Sequence, residues 1–327
     1  MSVESDSTVR ARPEPIRAVP VRHPGRWVAV AVLAVLAAMF VHMLVTNKAF
    51  NWSFMVDNMF RPPIIQGLLR GTVALTVGAM VIGVALGVLV AIMRLSPNPI
   101  LSTVAWLFTW FFRSIPRLVL LAVFGNLGIL WSRIEFGVPF DHQLGALFGV
   151  HDLQLRAFGF TSRDVLTGFT VALIGLALSE AAYMAEIVRA GIQSVDAGQT
   201  EAAQALGMTR GQILRRIVLP QAMRVIVPPT GNETIAMLKD TSLVIYVPVS
   251  IELFNQLDQV GKRTFQLFPM YVAACLWYLF LTSILLVGQY FLERRYGRGY
   301  GTAENARLRL RGMAAEQGGG GAGSAGV

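Results

Sequence analysis

Four polar or charged residues lie in an otherwise apolar stretch, residues 226–250, where charge is costly if the stretch crosses a membrane. Asn232 and Lys239 are seven residues apart, and so are Glu233 and Asp240, which predicts that all four share one side of a helix. A side with both signs of charge suits a zwitterion, because a carboxylate attracts a cation and an ammonium group attracts an anion. An internal ion-pair network that holds a helix bundle together is nearly as good an interpretation for Lys239 and Asp240.

Two prolines, Pro228 and Pro229, precede these residues and predict a break or bend in the helix. Irregular backbone is tolerated in a membrane where it lines a cavity. Glu233 lies near the predicted break, which makes it the stronger candidate for contact with a transported solute. The hydroxyl groups of Thr241 and Ser242 have two possible partners, the helix backbone or a ligand.

A second pair of charges, Arg113 and Arg117, falls inside the apolar segment 103–131. On a helix, their spacing of four residues predicts that both lie on one face. Three interpretations of Arg117 stay open: its cation favours an acidic solute, its side chain extends to the membrane surface, or it pairs with Glu180.

The segment 201–220, EAAQALGMTRGQILRRIVLP, is polar and basic, although apolar segments flank it on both sides. Residues 198–206 predict a short helix, and Gly207 suits its end, since glycine adopts the left-handed conformation at little cost. Thr209 and Gln212 have the spacing of a capping box, which predicts that a second helix begins there.

Each of these two helices has a distinct face. In the first, Ala202, Ala205 and Leu206 form a narrow face that suits close docking into a groove of a partner. The second has an apolar side that consists of Ile213, Leu214, Ile217 and Val218. Pro220 is expected to stop or bend this second helix. An amphipathic helix on lipid headgroups is an equally good interpretation, whereas a DNA-binding helix-turn-helix is disfavoured because membrane segments hold the loop on both sides.

A strongly apolar chain carries these elements: 54% of its 327 residues are hydrophobic and 14% are charged. Six segments approach the roughly 20 apolar residues that a bilayer requires, at residues 27–46, 70–93, 103–131, 165–188, 226–250 and 268–292. Most of the positive charge is arginine, and arginines beside apolar spans indicate membrane topology rather than nucleic-acid binding. One cysteine and four scattered histidines predict neither a disulfide framework nor a metal site. We therefore predict an all-α membrane protein with six transmembrane helices.

Basic residues also predict the orientation of these spans. The segments on the N-terminal side of the membrane hold 17 Lys and Arg residues and those on the other side hold 7, which favours cytoplasmic N and C termini. Residues 1–26, rich in proline and arginine, are expected to form a disordered cytoplasmic arm. Residues 293–327 are expected to form a cytoplasmic tail with a flexible end, and the outer loop 132–164 to form a small cap.

The anchors Glu201-Ala202-Ala203, Gly207 and Ile217-x-Leu219-Pro220 resemble the EAA loop of permease subunits of bacterial ATP-binding-cassette (ABC) importers. Two further stretches, AAYMAEIVRAGIQSVDAGQTEAAQALG and LPQAMRVIVPPTGNETIAMLKDTSLV, resemble the polar amino acid branch of that family, and FFRSIPRLVLL is similar to an earlier stretch of the same permeases. The resemblance covers residues 66–292. It fails at Arg117, where related permeases usually have an apolar residue.

The resemblance implies a type I permease in a bacterial cytoplasmic membrane, with a five-helix core in 66–292 and segment 27–46 as an added N-terminal helix. It also implies a second permease subunit, identical or different, two ATP-binding subunits and an extracytoplasmic solute-binding protein. In the family, the EAA loop contacts an ATP-binding subunit, which implies that role for Glu201, Ala202, Ala203, Gly207, Ile217, Leu219 and Pro220. Glu201 either pairs with a basic group of that partner or caps its own helix.

Alternating-access import of a polar or charged amino acid is the function that this resemblance implies. The chain has no G-x-x-x-x-G-K-[ST] loop, so ATP and magnesium are expected on the partner, and this subunit is not expected to be an enzyme. Candidates for the substrate path are Asn232, Glu233, Lys239, Asp240, Thr241, Ser242, Arg113 and Arg117. An ATP-independent secondary amino acid transporter is the alternative. No catalytic residue and no metal ligand set is predicted in the chain.

Overall fold

The computed structural model describes residues 24–127, 133–138, 156–161, 168–247 and 249–296. It divides into two compact units, residues 1–50 and 51–327. In the first, helix α1 (Pro24–Thr46) is followed by a 3-10 turn. The α1 sequence is apolar on nearly every face, as suits a segment surrounded by lipid. The predicted N-terminal arm lies outside the described residues up to residue 23, and the predicted C-terminal tail lies outside them from residue 297.

The second unit is built mainly from helices. Its helical segments are α2 (Trp52–Met59), α3 (Pro62–Gln66), a π-helical segment (Gly67–Val73), α4 (Ala74–Arg94), α5 (Pro99–Ser114), α6 (Arg117–Gly125), α7 (Gly168–Gln193), α8 (Ala197–Ala205), α9 (Arg210–Ile213), a second π-helical segment (Leu214–Val218), α10 (Leu219–Asp240), a 3-10 segment (Thr241–Tyr246), α11 (Leu253–Thr264) and α12 (Leu267–Tyr296). Two short antiparallel strands, β1 (Arg133–Gly137) and β2 (Arg156–Thr161), lie in the loop 132–164, for which we predicted no strand. Most of the rest of that loop, including any cap, lies outside the described residues.

Four helical segments of the described chain are long and apolar enough to cross a bilayer: Gly25–Thr46, Pro62–Arg94, Gly168–Gln193 and Leu267–Tyr296. Helices α5 and α6 meet these criteria only as a pair, bent by 98°. The expectation that one helix passes through both Arg113 and Arg117 is therefore wrong. The cause is Pro116, which disfavours helical backbone at the preceding residue; Ile115 is extended, with φ −94° and ψ 128°.

Residues 210–240 stay helical without interruption, through α9, the second π-helical segment and α10. A stop at Pro220 and a break at Pro228 and Pro229 are therefore wrong, because the helix continues through all three. A bend, the other expected effect of these prolines, stays a prediction. The π-helical turn just before Pro220 has a wider hydrogen-bond spacing, which accommodates a residue that has no N–H to donate. At the second site, the Pro228 carbonyl accepts a hydrogen bond of 2.9 Å from Gln289 Nε2 on α12.

Helix α7 is central to the second unit and packs against α4, α5, α6 and α10. Its approach to α4 is close at Gly83 and Gly87. A Cβ atom added at Gly83 would lie 2.7 Å from Cβ of Glu180, and one added at Gly87 would lie 2.5 Å from Cβ of Met184. These glycines therefore act in plain helix packing, because only a residue without a side chain fits there.

Glu252, a fully buried carboxyl group, joins the start of α11 to two neighbouring helical segments. It accepts hydrogen bonds from Thr72 Oγ1 (2.7 Å), from the Tyr278 hydroxyl (2.7 Å) and from the Asn255 backbone N–H (3.1 Å). One side chain thus satisfies donors from the π-helical segment Gly67–Val73, from α11 and from α12.

We expect Glu252→Ala to lower the free energy of unfolding of the second unit by about 3 kcal/mol, because buried donors left unpaired cost about 1–3 kcal/mol each. Glu252→Gln keeps an acceptor oxygen and should lower the free energy of unfolding by about half as much. The measurement is the thermal unfolding midpoint of each purified variant in detergent. An alanine variant as stable as the wild type would contradict this role of Glu252.

Candidate functional site

Arg117, the first residue of α6, lies at the centre of a cluster of charged groups from three helices. Its Nη2 atom is 2.9 Å from Oε2 of Glu180 and 3.5 Å from Oε2 of Glu233, and its Nη1 atom is 2.5 Å from Oδ2 of Asp240. Its Nε donates to the Ser179 hydroxyl at 3.1 Å. All three guanidinium nitrogens are therefore engaged. Of the open interpretations of Arg117, the pairing with Glu180 is confirmed.

The cluster contains more acidic than basic groups. Three carboxyl groups surround one guanidinium, and Glu180 is fully buried while Glu233 and Asp240 are partly exposed. Oε1 of Glu180 is buried and accepts no hydrogen bond from any described residue. With every group ionised, the cluster has an excess of two negative charges, which suits a positively charged ligand.

A cavity of about 440 Å³ opens beside this cluster. Its lining consists of Pro116, Arg117, Leu118, Tyr183, Glu233, Ala236, Asp240 and Leu243. A second cavity, of about 400 Å³, shares Tyr183 with the first and is also lined by Arg94, Trp106, Thr109, Trp110, Arg113, Ser114 and Glu186. Tyr183 therefore lies where the two cavities meet. Its ring faces the guanidinium of Arg117, with 4.8 Å between the guanidinium carbon and the ring centroid.

The four polar residues of α10 do not share one side as predicted. Glu233 and Asp240 face Arg117, whereas Asn232 and Lys239 are exposed, and Lys239 forms no ion pair with a described residue. The ion-pair interpretation is therefore correct for Asp240, with Arg117 as its partner, and wrong for Lys239. A spacing of seven residues aligns Asn232 with Lys239 and Glu233 with Asp240. Adjacent residues differ by about 100° around a helix, so the two pairs face different directions.

The remaining candidates for the substrate path have other contacts. Thr241 and Ser242 donate to backbone carbonyls three residues earlier, at 2.8 Å and 2.7 Å. Arg113 is exposed and does not share a helix face with Arg117, because the bend at Pro116 separates them. Its guanidinium carbon nevertheless lies 5.5 Å from the centroid of the Tyr183 ring. Arg113 thus belongs to the second cavity.

Sequence reasoning missed Ser179 and Tyr183 as site residues. Both lie on α7, with Glu180, at a spacing that places them on adjacent parts of one helix face. The available signal was their polarity within a run of small apolar residues, LALSEAAYMA.

The polar loop, residues 201–220, has the local structure that its capping signals predicted. Helix α8 ends before Gly207, which has φ +78°, and the capping box between Thr209 and Gln212 is present at the start of α9. The cap of α8 is Asp196, whose Oδ1 accepts from the Gly198 N–H at 2.8 Å. Glu201 lies in the second turn, so the interpretation that it caps its own helix is wrong.

The loop residues divide into a small core and an exposed face. Ala203 is buried against Ile213 and Val218, and Ile217 packs beside them. Leu214 is 46% exposed, so the prediction that it belongs to the apolar side is wrong; it lies at the start of the π-helical turn. The positions around Ala203 are exposed, among them Glu201, Ala202 and Ala205 of α8 and Leu206, which follows its last residue. Leu206 is 82% exposed, and Glu201 forms no hydrogen bond or ion pair with a described residue.

Comparison with known proteins gives one family. The model of the family described as "Binding-protein-dependent transport system inner membrane component" matches residues 83–298. The chain is 46% identical over 289 residues to the "Arginine transport system permease protein ArgU" of Corynebacterium glutamicum, with 88% of this chain and 85% of the relative covered. It is 35% identical over 248 residues to the "Glutamate/aspartate import permease protein GltK" of Escherichia coli, with 75% of this chain and 98% of the relative covered.

One solved structure supports the same fold. It is described as "Crystal structure of an amino acid ABC transporter with histidines" and is 31% identical to this chain, with a TM-score of 0.57. The match covers 75% of this chain and 98% of the other.

Proposed function

Because the chain belongs to the family of inner-membrane components of binding-protein-dependent transport systems, we propose that it is the permease subunit of an ATP-driven importer for amino acids with a cationic side chain. It is a multi-pass membrane protein with the type I ABC permease fold. We place it in the bacterial cytoplasmic membrane with six spans. The distribution of arginine supports a cytoplasmic position for both termini.

The observation that carries the substrate class is the excess of carboxyl groups around Arg117. Glu180, Glu233 and Asp240 share one guanidinium, and the cavity beside them is lined by two of these three acids. The name of the relative from Corynebacterium glutamicum, an arginine permease, supports the same class. An acidic solute is disfavoured, because the charge of Arg117 is already opposed by three carboxyl groups.

Energy for this transport would come from two separate ATP-binding subunits, since the chain itself has no phosphate-binding loop. The loop 201–220 is the proposed contact with one of them. Its exposed face of Ala202, Ala205 and Leu206 suits a groove on that subunit, and the buried Ala203 holds α8 firmly on the rest of the loop. An external solute-binding protein would deliver the amino acid, and a second permease subunit would complete the pathway.

Reconstitution tests this proposal. The permease, its ATP-binding subunit and its solute-binding protein are placed in liposomes, and uptake of radiolabelled L-arginine, L-lysine, L-glutamine and L-glutamate is measured with and without ATP. We expect ATP-dependent uptake of L-arginine and L-lysine that exceeds uptake of L-glutamate by about tenfold or more, since repulsion by an acidic cluster opposes an anion. Uptake without ATP would instead favour a secondary transporter, and preference for L-glutamate would contradict the substrate class.

A further inference from the structure

Arg117 is surrounded as a bound guanidinium ligand would be. All its polar partners belong to other helices: Ser179 and Glu180 on α7, and Glu233 and Asp240 on α10. Its fork of N–H groups meets carboxyl oxygens and its plane faces the aromatic ring of Tyr183, two kinds of contact that proteins use to recognise guanidinium groups. Only 12% of its side chain is exposed.

The stability of α6 does not explain this arginine. Arg117 is the first residue of that helix, where the positive end of the helix dipole disfavours a cation. Its side chain also lines the cavity of about 440 Å³, as do Glu233, Asp240 and Tyr183. A ligand in this cavity would therefore meet the same groups that hold Arg117.

We infer that Arg117 is a tethered guanidinium that occupies the carboxylate site of the empty permease and is displaced by the cationic side chain of the substrate. This inference rests on the proposed substrate class. It gives the cluster a counter-charge when no substrate is present, so that the three acids are not left unopposed in a membrane. It also favours ligands whose cationic group interacts with the three carboxylates more strongly than Arg117 does.

Competition between Arg117 and the substrate predicts the direction in which the substrate affinity changes when Arg117 is replaced. The apparent affinity for a ligand falls by the fraction of time for which its site is vacant. Removal of the tethered group should therefore tighten substrate binding, although it removes a favourable internal contact. Loss of the positive charge alone would also strengthen the binding of a cation, so the variant that separates the two effects is Arg117→Lys, which keeps the charge and loses the forked contacts. If Arg117 were only a structural ion-pair partner, Arg117→Lys would leave binding unchanged or make it weaker.

The test is equilibrium binding of radiolabelled L-arginine to the purified permease with its ATP-binding subunits, without the solute-binding protein. We expect the dissociation constant to be about tenfold lower for Arg117→Gln than for the wild type, as for a site that is vacant about a tenth of the time. Arg70→Gln is the matched control, because Arg70 also lies in a membrane span but is exposed and forms no ion pair with a described residue. Its affinity should equal that of the wild type.

Three results would overturn the inference in different ways. Equal or weaker binding by a folded Arg117→Gln variant would show that Arg117 does not compete with the substrate, while the proposed substrate class would stand. If no variant and no wild-type protein binds L-arginine, the substrate class is wrong and the inference is wrong with it. Arg117→Lys separates displacement from the effect of charge, because its ammonium group keeps the positive charge but cannot make the forked contacts. Tighter binding than in the wild type is expected for this variant, and equal or weaker binding overturns the inference.

Discussion

Replacement of Asp240 by asparagine should reduce ATP-dependent uptake of L-arginine by about tenfold or more, a loss of about 1.4 kcal/mol or more of interaction free energy. Asp240 makes the shortest contact of the acidic cluster, 2.5 Å to Arg117, and lines the adjoining cavity. Asparagine keeps the shape of the side chain and removes only the charge. The measurement is initial uptake into the liposomes described above, at a substrate concentration below half-saturation.

The same substitution at Asp57 provides the control. Asp57 is exposed on α2, and it forms no ion pair with a described residue. Asp57→Asn should transport as the wild type does, and size-exclusion chromatography should show that both variants assemble. Wild-type uptake by an assembled Asp240→Asn complex would exclude this carboxylate from the substrate path.

Leu206→Asp should abolish coupling between ATP hydrolysis and transport. Leu206 is 82% exposed at the end of α8, so an aspartate there disturbs no internal packing of the loop. If its face docks into the ATP-binding subunit, the substitution buries an unpaired charge, which costs several kcal/mol. We expect uptake to fall by about a hundredfold or more, since 1.4 kcal/mol corresponds to about a factor of ten. Co-purification of the ATP-binding subunit and its substrate-stimulated ATPase activity are the measurements.

Gln204→Asp introduces the same residue on the opposite side of α8, two positions away, and it should affect both measurements little. Equal effects of the two substitutions would indicate a general sensitivity of the loop to charge. Normal uptake and normal ATPase stimulation in Leu206→Asp would mean that this face does not form the joint with the ATP-binding subunit.

Local signals made the polar loop predictable. A capping box and a helix-ending glycine act within a few residues, so Thr209, Gln212 and Gly207 identified two helix boundaries from the sequence. The role of Ala203 was harder to place. It lies between exposed positions, and only the packing of α8 on Ile213 and Val218 determines that it points inward.

The acidic cluster was only partly predictable. The spacing of Glu233 and Asp240 showed that they face the same way, but nothing near them in sequence identifies Arg117, which is 123 residues from Asp240. The bend at Pro116 was missed because hydropathy is continuous across it, although the proline itself was a signal. The opposite error occurred at Pro220, Pro228 and Pro229, where the helix continues; a π-helical turn precedes Pro220, and Gln289 of α12 donates to the Pro228 carbonyl.

The uninterrupted helix of residues 210–240 has a mechanical consequence. It begins at the capping box of the loop 201–220 and ends at Asp240, so about 45 Å of continuous helix joins the two. Through this continuous backbone, a rotation imposed on the loop would carry Glu233 and Asp240 around the helix axis with it. Turning them away would separate both carboxylates from Arg117 and Glu180, which belong to other helices. The contact with an ATP-binding subunit and the contact with the transported amino acid would then be made at the two ends of one continuous helix.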